Sequence, residues 1–287
     1  MTASAYVPRS LRSLAWIRRH LTAWPPIDTL GFAISFTLQV VGSIPLTLKK
    51  YRSQTMLVLT DMTWGRGSII VGGGTAVVMV VMGGATGASL GIEAYSALNL
   101  VALGQLSGLI AALANTRELA PIVAGVGFAA QAGCRMTAEI GSMRISEEID
   151  AVEALGIRSI PFVVTTRVIA GVVSIVPTFL IALIASYAAT GLVVTAVHGE
   201  PSGVYNHYFD QFILSWDILA AVIKVAVFAA AVILIHCYQG YFATGGPEGV
   251  GIASGRAIRA SLVAIITIDM MMTIALWGFS SPVAFSG

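Results

Sequence analysis

Long runs of apolar residues are the feature that most restricts the fold of this 287-residue chain. A helix needs roughly 20 apolar residues to cross a bilayer. Five stretches reach that length: 69–90, 98–141, 163–194, 212–238 and 257–279. Only 10% of the residues are charged, against about a quarter in a water-soluble domain, which excludes a soluble enzyme. The sequence therefore predicts an all-α polytopic membrane protein with five transmembrane helices.

A sixth apolar run, residues 27–48, is long enough to cross but is flanked by basic residues on both sides. Arg18 and Arg19 precede it, and Lys49 and Lys50 follow it. A crossing would place one of these pairs on the wrong face, because Lys and Arg collect in short cytoplasmic loops. We therefore expect an interfacial elbow helix. Residues 1–63 would form a cytoplasmic N-terminal segment with this elbow, and residues 64–287 the transmembrane domain.

The distribution of basic residues predicts the topology. With the N-terminus in the cytoplasm and five crossings, fourteen of the sixteen Lys and Arg residues lie on the cytoplasmic side. The outer segments 91–97 and 195–211 contain none of them. This is the asymmetry expected for a protein of the cytoplasmic (inner) membrane. An odd number of crossings places the C-terminus outside.

The second apolar stretch, residues 98–141, is too long for one simple span, and Pro121 could divide it. A division would add a sixth crossing and place Arg256 and Arg259 outside, against the charge rule. We therefore expect one long or broken helix here, with Pro121 loosening the backbone where neighbours or water can satisfy it.

The first stretch is rich in glycine, which lets helix backbones approach closely in a bilayer. We expect close helix packing rather than ligand contact from Gly72, Gly73, Gly74, Gly83, Gly84 and Gly87.

The polar segment 146–156 is a candidate docking helix between the second and third spans. Ser146 is a suitable N-cap and Gly156 a suitable C-terminal stop, and acidic residues occupy the first turn, where the helix dipole favours them. Ile149, Val152 and Leu155 recur about one turn apart and predict a narrow apolar stripe. Such a helix is either a solvated connector or a contact for a cytoplasmic partner.

Four charged residues lie inside apolar stretches: Arg117, Glu118, Lys224 and Asp269. Each would cost roughly 2.5 to 3.5 kcal/mol if left unpaired at the bilayer centre. Two cations and two anions permit full pairing. They could be buried pairs that fix helix packing, the polar lining of a cavity, or a proton relay.

Several short motifs occur in a fixed order along the chain. They are RELAP at 117–121, TAEIGSMR at 137–144, EEIDAVEALG at 147–156, YFATGGPEGVG at 241–251, and Ile268 with Asp269. Together they resemble the signature of the MlaE/YrbE permease family of lipid ABC transporters. The wording ISEEID at 145–150 and HCYQGY at 236–241 is similar to the B-type YrbE subunits of actinobacterial Mce systems. The resemblance covers about residues 64–287, an MlaE-like permease domain.

The resemblance implies an N-terminal elbow, five spans, and a cavity for a lipid substrate shared with a second YrbE-type permease subunit. It implies that residues 146–156 form a coupling helix seated in a cytoplasmic ABC ATPase dimer, and that Mce proteins stand on the outer face. The residues implied for ATPase coupling are Glu147, Glu148, Ile149, Asp150, Val152, Glu153 and Leu155. One departure is visible, since many relatives have an Arg where this chain has Gln131, and Arg135 follows four residues later.

The chain itself lacks the sequence GxxxxGK of a nucleotide-binding loop. We therefore expect no enzyme activity or cofactor in this chain, with ATP and Mg bound by the partner ATPase. The net charge of +2 is too small to indicate nucleic-acid binding. The resemblance favours fatty or mycolic acids as substrates, moved inward. A sterol substrate, a proton-coupled secondary lipid carrier and a passive membrane anchor for outer partners are the alternatives.

Overall fold

The computed structural model describes residues 25–64 and 74–278, and all regular elements within these ranges are helices. Three helices precede the first span: α1 (Pro25–Gly42), α2 (Ile44–Lys50) and α3 (Arg52–Trp64). The axes of α1 and α2 differ by 40°. Pro45 in the first turn of α2 explains the break, because proline lacks the N–H that would continue α1. The bend has the form of an elbow, and its position in the membrane interface stays a prediction.

The remaining helices include all five predicted spans. In chain order they are α4 (Thr75–Asn99), α5 (Gly104–Ile145), α6 (Glu148–Ala154), α7 (Ile160–Val197), α8 (Ser202–Phe212), α9 (Ser215–Tyr241) and α10 (Gly246–Trp277). All of these except α6 and α8 are long and apolar enough to cross a membrane. The prediction of an all-α polytopic fold with five spans is confirmed, and α1 with α2 could add a sixth by length alone.

The ends of the first and last spans differ from the prediction. Helix α4 continues nine residues past the expected end at position 90, and residues 69–73 lie outside the described residues. Helix α10 begins at Gly246, eleven residues earlier than expected. Pro247 and Glu248 favour a helix start there, because a proline at the first positions loses no hydrogen bond and an acid complements the helix dipole. Position 279 also lies outside the described residues.

Helix α5 is one continuous 42-residue helix, as expected, and Pro121 does not divide it. Two wider π-helical segments, Ala111–Leu119 and Ala129–Gly133, interrupt its α-helical geometry. The first ends just before Pro121, so the backbone is already rearranged where proline removes a hydrogen bond.

Glycines on α4 allow close packing against α7, as expected for this span. A Cβ at Gly83 would lie 2.6 Å from the Ala182 carbonyl oxygen, and one at Gly87 would collide with the Ser186 carbonyl. Thr190 on α7 also donates a hydrogen bond to the Gly87 carbonyl at 2.8 Å. Gly84, in contrast, faces open space. Close packing is therefore confirmed for Gly83 and Gly87, and Gly72 and Gly73 lie outside the described residues.

Candidate functional site

The Lys224 ammonium group lies at the centre of a polar cluster between α5, α9 and α10. Its Nζ atom is 2.7 Å from Asp269 Oδ1 and 3.3 Å from Glu118 Oε2. It also donates to Thr273 Oγ1 at 2.8 Å. We call Lys224, Glu118, Asp269 and Thr273 the Lys224 cluster. Three of the four predicted intramembrane charges therefore lie together, one cation between two anions.

The hydrogen bonds of the Lys224 cluster form one consistent chain. Thr273 has a single hydroxyl proton and donates it to Glu118 Oε1 at 2.8 Å, so it accepts from Lys224. An ammonium group has three protons, and the Arg117 carbonyl takes one of them at 2.7 Å. Glu118, at 3.3 Å, is the most distant of the three hydrogen-bond acceptors of Lys224, and Asp269 Oδ1 forms an ion pair with the ammonium group.

The Arg117 carbonyl lies near the end of the wider segment Ala111–Leu119, four residues before Pro121. In an α-helix, the residue four positions later donates its N–H to a carbonyl, and proline has none to donate. Lys224 supplies a proton to this carbonyl instead. The RELAP motif thus provides both the carboxylate of Glu118 and a backbone acceptor for the same cation.

Arg117 does not pair with either of the two predicted anions, Glu118 and Asp269. Its guanidinium instead binds Asp217 Oδ2, with Nε at 3.0 Å and Nη2 at 2.8 Å. The indole N–H of Trp277 donates to Asp217 Oδ1 at 2.8 Å, and the guanidinium carbon lies 5.3 Å from the Trp277 ring. Sequence reasoning missed Asp217 because it lies in the first turn of α9, at the edge of the apolar stretch.

The Lys224 cluster is closed on one side and open on the other. The Lys224 side chain is fully buried, whereas the Glu118 side chain is 36% exposed. Near Asp269, α10 exposes large apolar side chains at Val263, Ile266 and Met270. The Glu118 carboxylate is therefore accessible from outside the chain, whereas the Lys224 ammonium group is not.

The acidic helix α6 follows α5 after a tight turn. We had expected Ser146 to be the N-cap of α6. Ser146 instead caps the C-terminus of α5, where its hydroxyl donates to the Ser142 carbonyl at 2.9 Å. Glu147 takes the N-cap position in the left-handed region, with φ of 60°. The predicted stop is confirmed, since Gly156 has φ of 76° and its N–H donates to the Glu153 carbonyl.

The predicted apolar stripe of α6 is split between two environments. Ile149 is fully buried in the core of the chain itself, whereas the Leu155 side chain is 78% exposed. Ile149 therefore anchors α6 to the spans, and its part in ATPase coupling stays a prediction. Val152 is partly buried.

The acidic residues of α6 are also divided. Asp150 pairs with Arg144 of α5, with an N–O distance of 2.8 Å. Glu153 turns toward Ser159 at the start of the next span and accepts a hydrogen bond from it. Glu147 and Glu148 are exposed, and Glu148 Oε1 lies 3.1 Å from the Ser146 hydroxyl oxygen. The exposed side chains of this segment are therefore Glu147, Glu148, Asp150, Glu153 and Leu155, of which Asp150 and Glu153 are bound within the chain.

A second ionic network, absent from our sequence prediction, crosses α3, α5 and α7. Arg135 forms a salt bridge with Asp61 of α3 and pairs with Glu139 at 2.8 Å. Glu139 in turn lies 3.4 Å from Arg167 of α7. Gln131 lines the same small cavity, of about 100 Å³. The only sequence signal was that Arg135 and Glu139 are four residues apart, which places them on one helix face.

Comparison with known proteins identifies a family and several relatives. The family described as Permease MlaE matches residues 65–275, which covers α4 to α10 almost completely. The chloroplastic protein TRIGALACTOSYLDIACYLGLYCEROL 1 of Arabidopsis thaliana is 33% identical over 171 residues. That match covers 60% of this chain but only 49% of the Arabidopsis protein, so the chain spans about half of that relative.

Two bacterial relatives match over more of their length. A probable ABC transporter permease protein of Rickettsia bellii is 29% identical over 197 residues, covering 66% of this chain and 73% of the relative. The intermembrane phospholipid transport system permease protein MlaE of Haemophilus influenzae is 28% identical over 210 residues, covering 73% of this chain and 80% of the relative.

Proposed function

Because this chain belongs to the MlaE permease family, we propose that it is the permease subunit of an ATP-driven lipid transporter. The observation that carries this proposal is the combination of a family match across all five spans with an exposed acidic helix at one end of the bundle. The relatives support it, since one is named as a phospholipid transport permease and another as an ABC transporter permease.

The proposed ATPase partner is a cytoplasmic ABC dimer that binds ATP and Mg. Helix α6 would dock into it through Glu147, Glu148 and Leu155. The other exposed members of the predicted coupling set, Asp150 and Glu153, are bound within the chain to Arg144 and Ser159. Ile149 would hold α6 to the spans during this contact, because it is buried in their core. Closure of the ATPase on ATP would then push on α6 and rotate α5 and α7, to which it is joined.

The proposed second partner is another permease subunit of the YrbE type. Helix α10 would contribute to the shared lipid cavity, since it exposes Val263, Ile266 and Met270. Glu118, the half-open member of the Lys224 cluster, would be the polar group of the cavity wall. The motifs at 145–150 and 236–241 favour an Mce-type system with Mce proteins on the outer face, and fatty or mycolic acids as the imported cargo.

The proposed location is the cytoplasmic (inner) membrane, with the N-terminus and α6 in the cytoplasm and the C-terminus outside. Arg144 and Arg158 flank α6, and their charge supports a cytoplasmic position. A membrane-impermeant maleimide tests this in a Glu148→Cys variant, which should react only from the cytoplasmic side. Reaction from the outer side alone would exclude ATPase docking through α6.

Purification of the intact assembly through a tag on this chain tests the whole proposal. We expect an ABC ATPase, a second permease and a bound lipid by mass spectrometry. Glu148→Lys should reduce the recovered ATPase several-fold, and the matched change Asp210→Lys, on exposed α8 at the opposite end, should not. Lipid transfer driven by a pH gradient without any ATPase would favour a secondary carrier. Lipid uptake that survives complete loss of the ATPase would favour a passive anchor.

A further inference from the structure

Glu153 is exposed on α6, but its carboxylate reaches two hydroxyl groups of the rest of the chain. The Ser159 hydroxyl donates to Glu153 Oε1, and the Tyr241 hydroxyl oxygen lies 3.4 Å from the same carboxylate oxygen. The oxygens of Ser159 and Tyr241 are 2.7 Å apart. We call these three residues the Glu153 cluster. It joins α6, the start of α7 and the last residue of α9.

The direction of each hydrogen bond can be assigned by counting protons. A serine hydroxyl has one proton, and Ser159 gives it to the Glu153 carboxylate. The short contact between Ser159 and Tyr241 therefore has the tyrosine as donor. Ser159 is only 3% exposed, so it is a buried bridge that needs both partners to satisfy its donor and its acceptor.

Tyr241 also belongs to the helix that carries Lys224. Helix α9 runs without interruption from Ser215 to Tyr241. Tyr241 lies seventeen positions after Lys224, which corresponds to about 25 Å along the helix axis at 1.5 Å per residue. A displacement of one end of a packed, unbroken helix is transmitted to the other end. The Glu153 cluster thus connects α6 to the Lys224 cluster through α9, in addition to the covalent links of α6 to α5 and α7.

From this geometry we infer that Glu153 is a positioning residue that transmits movement of α6 to α9 through Ser159 and Tyr241, rather than a docking residue for the ATPase. The inference rests on the proposed function, since it concerns how ATPase closure reaches the buried charges. It assigns the acids of α6 two separate tasks. Glu147 and Glu148 contact the partner, and Glu153, although also exposed, is held to the start of α7 by Ser159.

The test measures coupling in the intact assembly reconstituted in vesicles, with a fluorescent fatty acid as the transported probe. The measured quantities are ATPase recovery, ATP hydrolysis, and probe transferred per ATP. Tyr241→Phe keeps the ring, which lies 6.0 Å from that of Phe36, and removes only the hydroxyl. We expect transfer per ATP to fall about fivefold, the scale of one lost hydrogen bond, with ATPase recovery unchanged. Tyr238→Phe is the matched control on the same helix, because Tyr238 packs against the same Phe36 at 5.5 Å.

Two changes at Glu153 separate hydrogen bonding from charge. Glu153→Met removes the acceptor and should uncouple transfer as Tyr241→Phe does, whereas Glu153→Gln keeps an acceptor oxygen and should retain coupling. The double variant of Glu153→Met and Tyr241→Phe should transfer no less probe per ATP than either single variant, because both changes break the same connection.

Two results would overturn the inference and leave the proposed function standing. One is loss of the ATPase from the Glu153→Gln assembly, and the other is equal transfer per ATP in Tyr241→Phe and Tyr238→Phe. If the unaltered assembly shows no ATP-driven transfer, the proposed function fails, and the role of Glu153 fails with it.

Discussion

Lys224 and Asp269 lie 2.7 Å apart, nitrogen to oxygen, on the neighbouring helices α9 and α10. The Lys224 side chain is fully buried, and that of Asp269 is 9% exposed. A cation and an anion taken out of water stabilise each other only as a pair, and removal of one partner leaves the other uncompensated. The stability of the helix bundle should therefore depend on both residues together.

Lys224→Met should lower the free energy of unfolding by about 3 kcal/mol, because it leaves Asp269 without its cation. Asp269→Asn should lower the free energy of unfolding by less when it is added to Lys224→Met than when it is made in the unaltered chain. Thermal unfolding in detergent, followed by tryptophan fluorescence, measures all the variants. Ile223→Met is the control, since Ile223 is 40% exposed beside Lys224. Strictly additive effects would show that the two residues do not act as a pair.

Gly87→Ala should destabilise the bundle, because the added Cβ would collide with the Ser186 carbonyl on α7. A backbone clash of this kind typically costs about 1 to 3 kcal/mol. Gly84→Ala should be neutral or stabilising, since Gly84 faces open space and alanine is the better helix former. The same thermal unfolding measurement compares them. If the two variants melt at the same temperature, α4 and α7 do not pack as described.

Glu147→Gly and Glu147→Gln separate the backbone of the α5–α6 turn from its charge. Both remove the carboxylate, and both should weaken ATPase retention equally if that charge contacts the ATPase. Only glycine removes the cost of a left-handed residue at φ of 60°, which is about 1 kcal/mol. The glycine variant should therefore be the more stable of the two. A glutamine variant of equal stability would argue against the left-handed turn.

Arg135→Gln should loosen α3 from the spans, because Arg135 holds Asp61 of α3 through a salt bridge and through its backbone carbonyl. Hydrogen–deuterium exchange should be faster for the amides of α3 and unchanged in α9. Arg259→Gln, on an exposed position of α10, is the matched control. Unchanged exchange in α3 would mean that its packing against α7, and not this ionic network, keeps it in place.

The spans could be predicted because apolar length is a local property of the sequence. It located all five, and the absence of basic residues from two connecting segments correctly argued against a division at Pro121. The start of α10 could not be predicted in this way, because its first turns contain Gly246, Pro247 and Glu248. These residues resemble a loop in composition, and helix capping preferences, rather than hydropathy, account for them.

The need of the buried charges for partners was predictable, but the identity of those partners was not. The cost of unpaired charge predicted that Lys224 and Asp269 would find partners, and they did. The same cost could not predict that Arg117 would pair with Asp217, because this pairing depends on how α5 packs against α9. Similarly, the one-turn spacing of Ile149 and Leu155 gave no information on which of them the spans would cover, since tertiary packing decides that.

The length of α5 has a consequence for how the protein sits in its membrane. Its 42 residues extend about 63 Å at 1.5 Å per residue, whereas the hydrocarbon layer is about 30 Å thick. Even a tilt of 40°, the upper end of the usual range, leaves close to 20 Å outside this layer. Arg135, Glu139 and Arg144 occupy the last three turns, and charges avoid hydrocarbon, so the excess lies at that end. The start of the acidic helix α6 therefore lies beyond the lipid headgroups. A change in bilayer thickness would alter the length of α5 that is exposed to water, but α6 would stay accessible to a soluble protein.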